Sequence, residues 1–112
     1  MIKIKTILPT LKEKKRYLVY GVISDKKINF DDAKEAVNKA ILQFLGELGY
    51  AKAGIIILSE WKKNKGILRI NHKEVDKVKT ALCLIERINN EAVIVRTIGV
   101  SGILKKAKGK FL

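Results

Sequence analysis

The last seventeen residues, "RTIGVSGILKKAKGKFL" (96–112), carry five cations, Arg96, Lys105, Lys106, Lys108 and Lys110, and no acid. The first sixteen carry six more, Lys3, Lys5, Lys12, Lys14, Lys15 and Arg16, against the single acid Glu13. Each end is therefore net +5, while residues 17–95, with thirteen basic and ten acidic groups, are net +3. The ends thus hold ten of the thirteen units of formal charge. Ammonium and guanidinium groups at this density neutralise phosphates, so the placement of charge predicts a polyanionic partner.

Covalent chemistry finds few candidates. His72 and Cys83 are the only residues of their types, and each reads as structural, on or near a helix. No carboxylate or histidine cluster has metal-ligand spacing, and no nucleophile stands beside a base. Small phosphate hydrolases need an arginine-bearing phosphate loop after the first strand, and "ISDKKINF" (23–30) has no such arginine. The chain is read as no enzyme on its own, with no cofactor bound by the protein.

At 112 residues and 47% hydrophobic content, the chain can form one domain with a real core. One cysteine excludes an internal disulfide and fits a reducing compartment. No apolar run approaches the ~20 residues of a membrane span, and "MIKIKTILPT" lacks the apolar centre of a signal peptide. The expectation is a soluble, cytoplasmic protein with no membrane partner.

Periodicity supplies the frame. Residues 1–15 read as a basic arm broken by Pro9. "RYLVYGVIS" (16–24) reads as a strand. Asn29 caps a helix with Asp31 and Asp32 in its first turn, where carboxylates suit the helix dipole. Ala33, Ala36, Val37, Ala40, Ile41, Phe44, Leu45 and Leu48 form one apolar stripe, which Gly49 ends. "GIIILSEW" (54–61) and "GILRIN" (66–71) are strands around a "KKNK" turn. Asn71 and Glu74 have capping-box spacing before a second stripe of Val75, Val78, Ala81, Leu82, Ile85 and Ile88. Asn89-Asn90 turns the chain into "AVIVRTIGV" (92–100), a fourth strand.

The order predicts an α+β fold, a ferredoxin-like βαββαβ sandwich. It has an antiparallel-containing four-stranded sheet with two helices on one face, plus a basic N-terminal arm and a short C-terminal helix. Its parts are the arm (1–15), the core (16–100) and a basic tail (101–112). Strand four pairs with strand one, so the start of one meets the end of the other. Both basic ends then leave from one end of the sheet as one patch of net +10.

Two surfaces follow. Lys12, Lys14, Lys15, Arg16, Arg96, Lys105, Lys106, Lys108 and Lys110 form the expected RNA-binding patch, with Ser101 capping the tail helix and "GVSG" offering backbone N–H groups. Strand alternation turns Leu18, Tyr20 and Val22 toward the helices and leaves Tyr17, Val19, Ile67, Arg69, Ile94 and Arg96 on the open face. RNA binders of this topology stack bases there on aromatic residues. "KGILRI" has Ile67 and Arg69 at those positions, so base stacking is disfavoured. Tyr17, Val19, Ile67, Arg69 and Ile94 are read instead as a protein interface, in preference to a face covered by the chain's own tail.

"LPTLKEKKRYLVY" (8–20), "LGELG" (45–49), "GILRI" (66–70), "VRTIGVSG" (95–102) and "KFL" (110–112) together resemble the archaeal ribonuclease P protein component 2 family. This small-subunit family is shared with eukaryotic ribonuclease P and its ribosomal-RNA-processing relative. "RTIGVSG" and "KKRY" are the specific parts, and Ile103 departs from the threonine expected after "VSG". The resemblance implies a non-catalytic subunit of an RNA-based endoribonuclease that removes the 5′ leader of precursor tRNA. It implies binding to the catalytic domain of ribonuclease P RNA, with Mg2+ required by the RNA. Further implied partners are ribonuclease P protein component 3, other ribonuclease P subunits, and a second copy in a two-plus-two assembly. The alternative is a general RNA-binding or ribosome-associated protein of the same fold.

Overall fold

The computed structural model describes residues 14–112. Its elements are β1 (Lys15–Ile23), α1 (Phe30–Ala53), β2 (Ile56–Lys62), β3 (Lys65–Asn71), a 3-10 turn (His72–Glu74), α2 (Val75–Cys83), β4 (Arg87–Ile88), β5 (Glu91–Ala92), β6 (Ile94–Ser101) and α3 (Leu104–Phe111). Strand order in the main sheet is β2-β3-β1-β6, with every neighbouring pair antiparallel. This is the α+β, ferredoxin-like arrangement the sequence predicts. β4 and β5 form a separate two-residue hairpin at Asn89-Asn90, both with positive φ (51° and 68°).

Alternation divides β1 cleanly. Leu18, Tyr20 and Val22 join Leu68, Ile70 and Val95 beneath Ala33, Val37 and Ile41 of α1 and Val78, Ala81 and Leu82 of α2. Each fully buried aliphatic side chain contributes about 1.5–3 kcal/mol, so this layer holds the fold. The β2–β3 hairpin turns through Lys63 and Asn64 at φ 52° and 60°, the left-handed pair whose twist suits a two-residue connection. Asn64 also joins the loop after β1: its Oδ1 accepts from Ile28 N at 3.0 Å and its carbonyl from Val22 N at 2.8 Å.

Asn29 caps α1 as expected, its Oδ1 accepting from Asp31 N at 3.0 Å. Gly49 does not end the helix. The break falls at Gly46 (φ 76°, ψ 171°), and a second segment continues to a left-handed cap at Gly54 (φ 60°, ψ 44°). In a straight helix Asn38 and Tyr50 stand about 18 Å apart along the axis. The bend lets the Tyr50 hydroxyl donate to Asn38 Oδ1. Beyond the break Leu48 is 75% exposed, and Phe44, two residues before it, is 44% exposed.

The capping box before α2 does not form either, since Asn71 makes no side-chain cap. That side chain, 2% exposed, accepts from Lys15 Nζ and donates to Lys52 O at 2.6 Å. It ties the start of β1 to the end of α1. The helix starts one 3-10 turn later, and Ile85 and Ile88 fill the core from beyond its end.

Candidate nucleic-acid interface

β6 ends at Ser101, and "GVSG" turns the chain back on itself. The Ser101 hydroxyl accepts from Ile103 N at 3.2 Å and donates to Ile103 O at 3.1 Å. Ile103, rather than the expected Ser101, is thus the residue that opens α3. The helix then crosses the sheet face opposite α1 and α2. Ala107 seals Val19 and Ile67, all three at 0% exposure, with Leu58, Ile98, Leu104 and Phe111 around them. Lys108 pairs with Glu60 of β2 at 2.9 Å, and Lys65 Nζ of β3 donates to Phe111 O at 3.3 Å.

Of the five residues read as a partner interface, this arrangement covers Val19 and Ile67 with the chain's own tail. Tail residues Leu104, Ala107 and Phe111 are apolar at helical spacing, and burying them on Val19 and Ile67 removes both surfaces from water. Val19 and Ile67 therefore touch no partner while α3 is docked. Ile94, 62% exposed and opposite Ile23 (49%), stays open at the far corner.

Register sorts the rest of that face into rows. One row runs Ile56, Arg69, Tyr17, Ser101 at the end where β1 begins. The next is the sealed row of Ile67, Val19 and Gly99. A third runs Lys62, Lys65, Gly21, Arg96. Basic side chains therefore flank α3 on both sides rather than gathering at one end. Arg96 lies five residues before Ser101, about 16 Å along the strand, so it is not part of the patch at the start of β1. Lys105, Lys106 and Lys110 are exposed along α3, with the Lys110 ammonium 5.6 Å from the Phe111 ring centre.

Lys14, Lys15 and Arg16 lie at the first row's end. Lys14 O accepts from His72 N at 2.9 Å and lies 3.1 Å from His72 Nδ1, which fixes the entry to β1. Lys15 is held on Asn71. Arg16 Nη1 donates to Lys15 O at 3.0 Å, its side chain turning toward Gly102. Lys12 lies outside the described residues. Lys62 and Lys65 were missed by sequence reading; the strand alternation that placed Arg96 on this face also applies to "KGILRI" and would have found Lys65.

The charge on this face favours anions. Glu60 is the face's paired acid, its carboxyl held below the usual range chiefly by the hydrogen bond from Lys108. Tyr20, on the other face, is pushed up by burial and has no hydrogen-bond partner among the described residues. Cys83 is exposed and free, and the described residues contain no group of three or more His, Cys, Asp or Glu side chains that could hold a metal ion. Among them no helix is long and apolar enough to cross a membrane. The surface thus carries cations on both sides of α3, with Tyr17 partly buried beside it.

A family model described as the Rpp14/Pop5 family matches residues 16–112. The chain is 43% identical over 109 residues to a ribonuclease P protein component 2 of Pyrococcus furiosus, covering 96% of this chain and 91% of that relative. It is 37% identical over 109 residues to one of Methanocaldococcus jannaschii, covering 97% of this chain and 81% of the relative. Among solved structures, a chain in the cryo-EM structure of yeast ribonuclease MRP superposes with a TM-score of 0.60 at 14% identity, over 80% of this chain and 75% of that one. The last likeness concerns the fold alone.

Proposed function

The chain belongs to the Rpp14/Pop5 family, and from that premise we propose that it is a non-catalytic subunit of ribonuclease P that binds and stabilises the catalytic domain of the RNA during removal of the 5′ leader from precursor tRNA. The observation that carries this reading is near-full-length identity of about 40% to several ribonuclease P protein component 2 chains. The surface supplies the physical role. Catalytic RNA must bring helices close to each other and to divalent metal against phosphate repulsion. A cationic face held on a rigid sheet lowers that cost, and with it the Mg2+ concentration the RNA requires. Six engaged cations imply a slope of log K against log[salt] of roughly −4 to −5.

Protein component 3 is the proposed protein partner, with a second copy in a two-plus-two assembly and other ribonuclease P subunits around it, in the cytoplasm. The exposed pair Ile23 and Ile94, together with Leu84 (60% exposed), offers apolar surface for such contacts.

Reconstitution tests the proposal. This protein, component 3 and an archaeal ribonuclease P RNA are mixed, and precursor-tRNA cleavage is followed as Mg2+ is lowered. The expected result is cleavage at Mg2+ levels where the RNA alone is inactive. RNA binding without any such effect moves the reading to a general RNA-binding protein. Charge variants rather than deletion of residues 101–112 should probe the tail, because deletion uncovers Val19 and Ile67.

A further inference from the structure

Three cations on the tail-covered face spend hydrogen bonds inside the chain. Lys15 holds Asn71, Lys65 holds the Phe111 carbonyl, and Lys108 holds Glu60. Arg69 does not. It sits mid-row on β3, between Ile56 of β2 and Tyr17 of β1, half-buried, and its Nε is buried with no hydrogen-bond partner among the described residues. None of the ion pairs among those residues includes it.

A guanidinium carries five N–H donors in a planar fork; burial of Nε holds the stem in place, and the outer N–H groups of this half-buried side chain are left to an external acceptor. A central strand also fixes the arginine stem more firmly than an exposed helix fixes a lysine, so less side-chain freedom is lost on binding. The local charge decides what kind of acceptor fits. The row Arg69 shares with Ile56, Tyr17 and Ser101 holds no acid to neutralise it, so an anion fits it better than a neutral group.

Resting on the reading of RNA as the partner, we propose that Arg69 is the anchoring contact of this surface, its fork closing on a single phosphodiester of the RNA. The tail lysines then act as diffuse charge, while Arg69 sets register.

The test is salt-dependent binding of an archaeal ribonuclease P RNA transcript by the full chain, read by fluorescence anisotropy, with thermal melts of every variant. Arg69→Gln is expected to weaken binding at least tenfold at fixed salt and to reduce the slope by about 0.7–0.9. Arg69→Lys keeps the stem and the charge but not the fork; it should retain the slope and the melting temperature yet still lose several-fold in affinity. Lys34→Gln, on the exposed side of α1, is the control for one lost charge. If wild type binds and Arg69→Lys binds equally tightly, the forked contact is overturned. If Arg69→Gln merely matches Lys34→Gln, the anchor is overturned and a protein carboxylate becomes its partner. Failure of wild type to bind at low salt overturns the RNA reading itself, and this inference with it.

Discussion

Gly99→Ala should destabilise the protein only while Phe111 is present. A methyl group at Gly99 falls 2.2, 2.3 and 2.6 Å from three carbons of the Phe111 ring, against ordinary contacts of about 3.5–4.0 Å. The ring must therefore leave its seat by more than 1 Å. Full burial of a phenylalanine is worth about 1.5–3 kcal/mol; Phe111 is half-buried, so its displacement should cost about 1–2 kcal/mol. Gly99 does not have positive φ, so alanine fits the backbone there, and replacing a mid-strand glycine recovers about 0.5–1 kcal/mol. The net effect in wild type is a loss of about 0.5–1 kcal/mol. In a Phe111→Ala background the sign reverses, and Gly99→Ala becomes stabilising by a similar amount. Urea unfolding of the four proteins gives a coupling energy of about 1–2 kcal/mol if α3 docks as described. Equal destabilisation in both backgrounds would refute the docking of Phe111 on Gly99, and with it the sealing of Val19 and Ile67.

Two further outcomes follow from the same face. Replacing Lys105, Lys106 and Lys110 with alanine, sparing Lys108 for its pair with Glu60, should flatten the RNA salt slope by about 2–3 and leave unfolding unchanged; an unaltered slope means the tail does not touch RNA. Glu60 is more acidic folded than unfolded, so its contribution is present above the unfolded value of about 4.3 and is lost as pH falls through its lower folded value. The pair is 43% and 33% exposed and therefore weak. Glu60→Gln should melt slightly below wild type at pH 7, and the two curves should converge below about pH 4.

The helices, the strand order and the antiparallel pairing were legible because period and spacing are local. The Asn29 cap and the Asn89-Asn90 turn were legible for the same reason. What was missed depended on long-range competition for one side chain. Asn71 has capping-box spacing, yet its amide is taken by Lys15 and Lys52, fifty-six and nineteen residues away in sequence. Gly46 and Gly49 are equally plausible breakers by type, and the Tyr50–Asn38 contact accompanies the break at Gly46. The tail's docking has a local trace, since Leu104, Ala107 and Phe111 share a helical face. Its decisive signal is Gly99, whose bare backbone makes room for an aromatic ring.

The cover has a consequence for recognition. A ferredoxin-like sheet with an open aromatic face reads single-stranded bases by stacking. Here the central row of that face is sealed by the chain's own helix, and the rows on either side present Arg69, Lys62, Lys65 and Arg96. For the proposed RNA partner such a surface would meet phosphates before bases, with affinity set by salt and selectivity by where the folded backbone places its charges. That mode suits a partner whose sequence carries its own chemistry and whose shape is what needs support. Under the same proposal the labour within the face is divided: exposed lysines on α3 would lower repulsion broadly, whereas an arginine fixed in a central strand would distinguish one phosphate position from its neighbours.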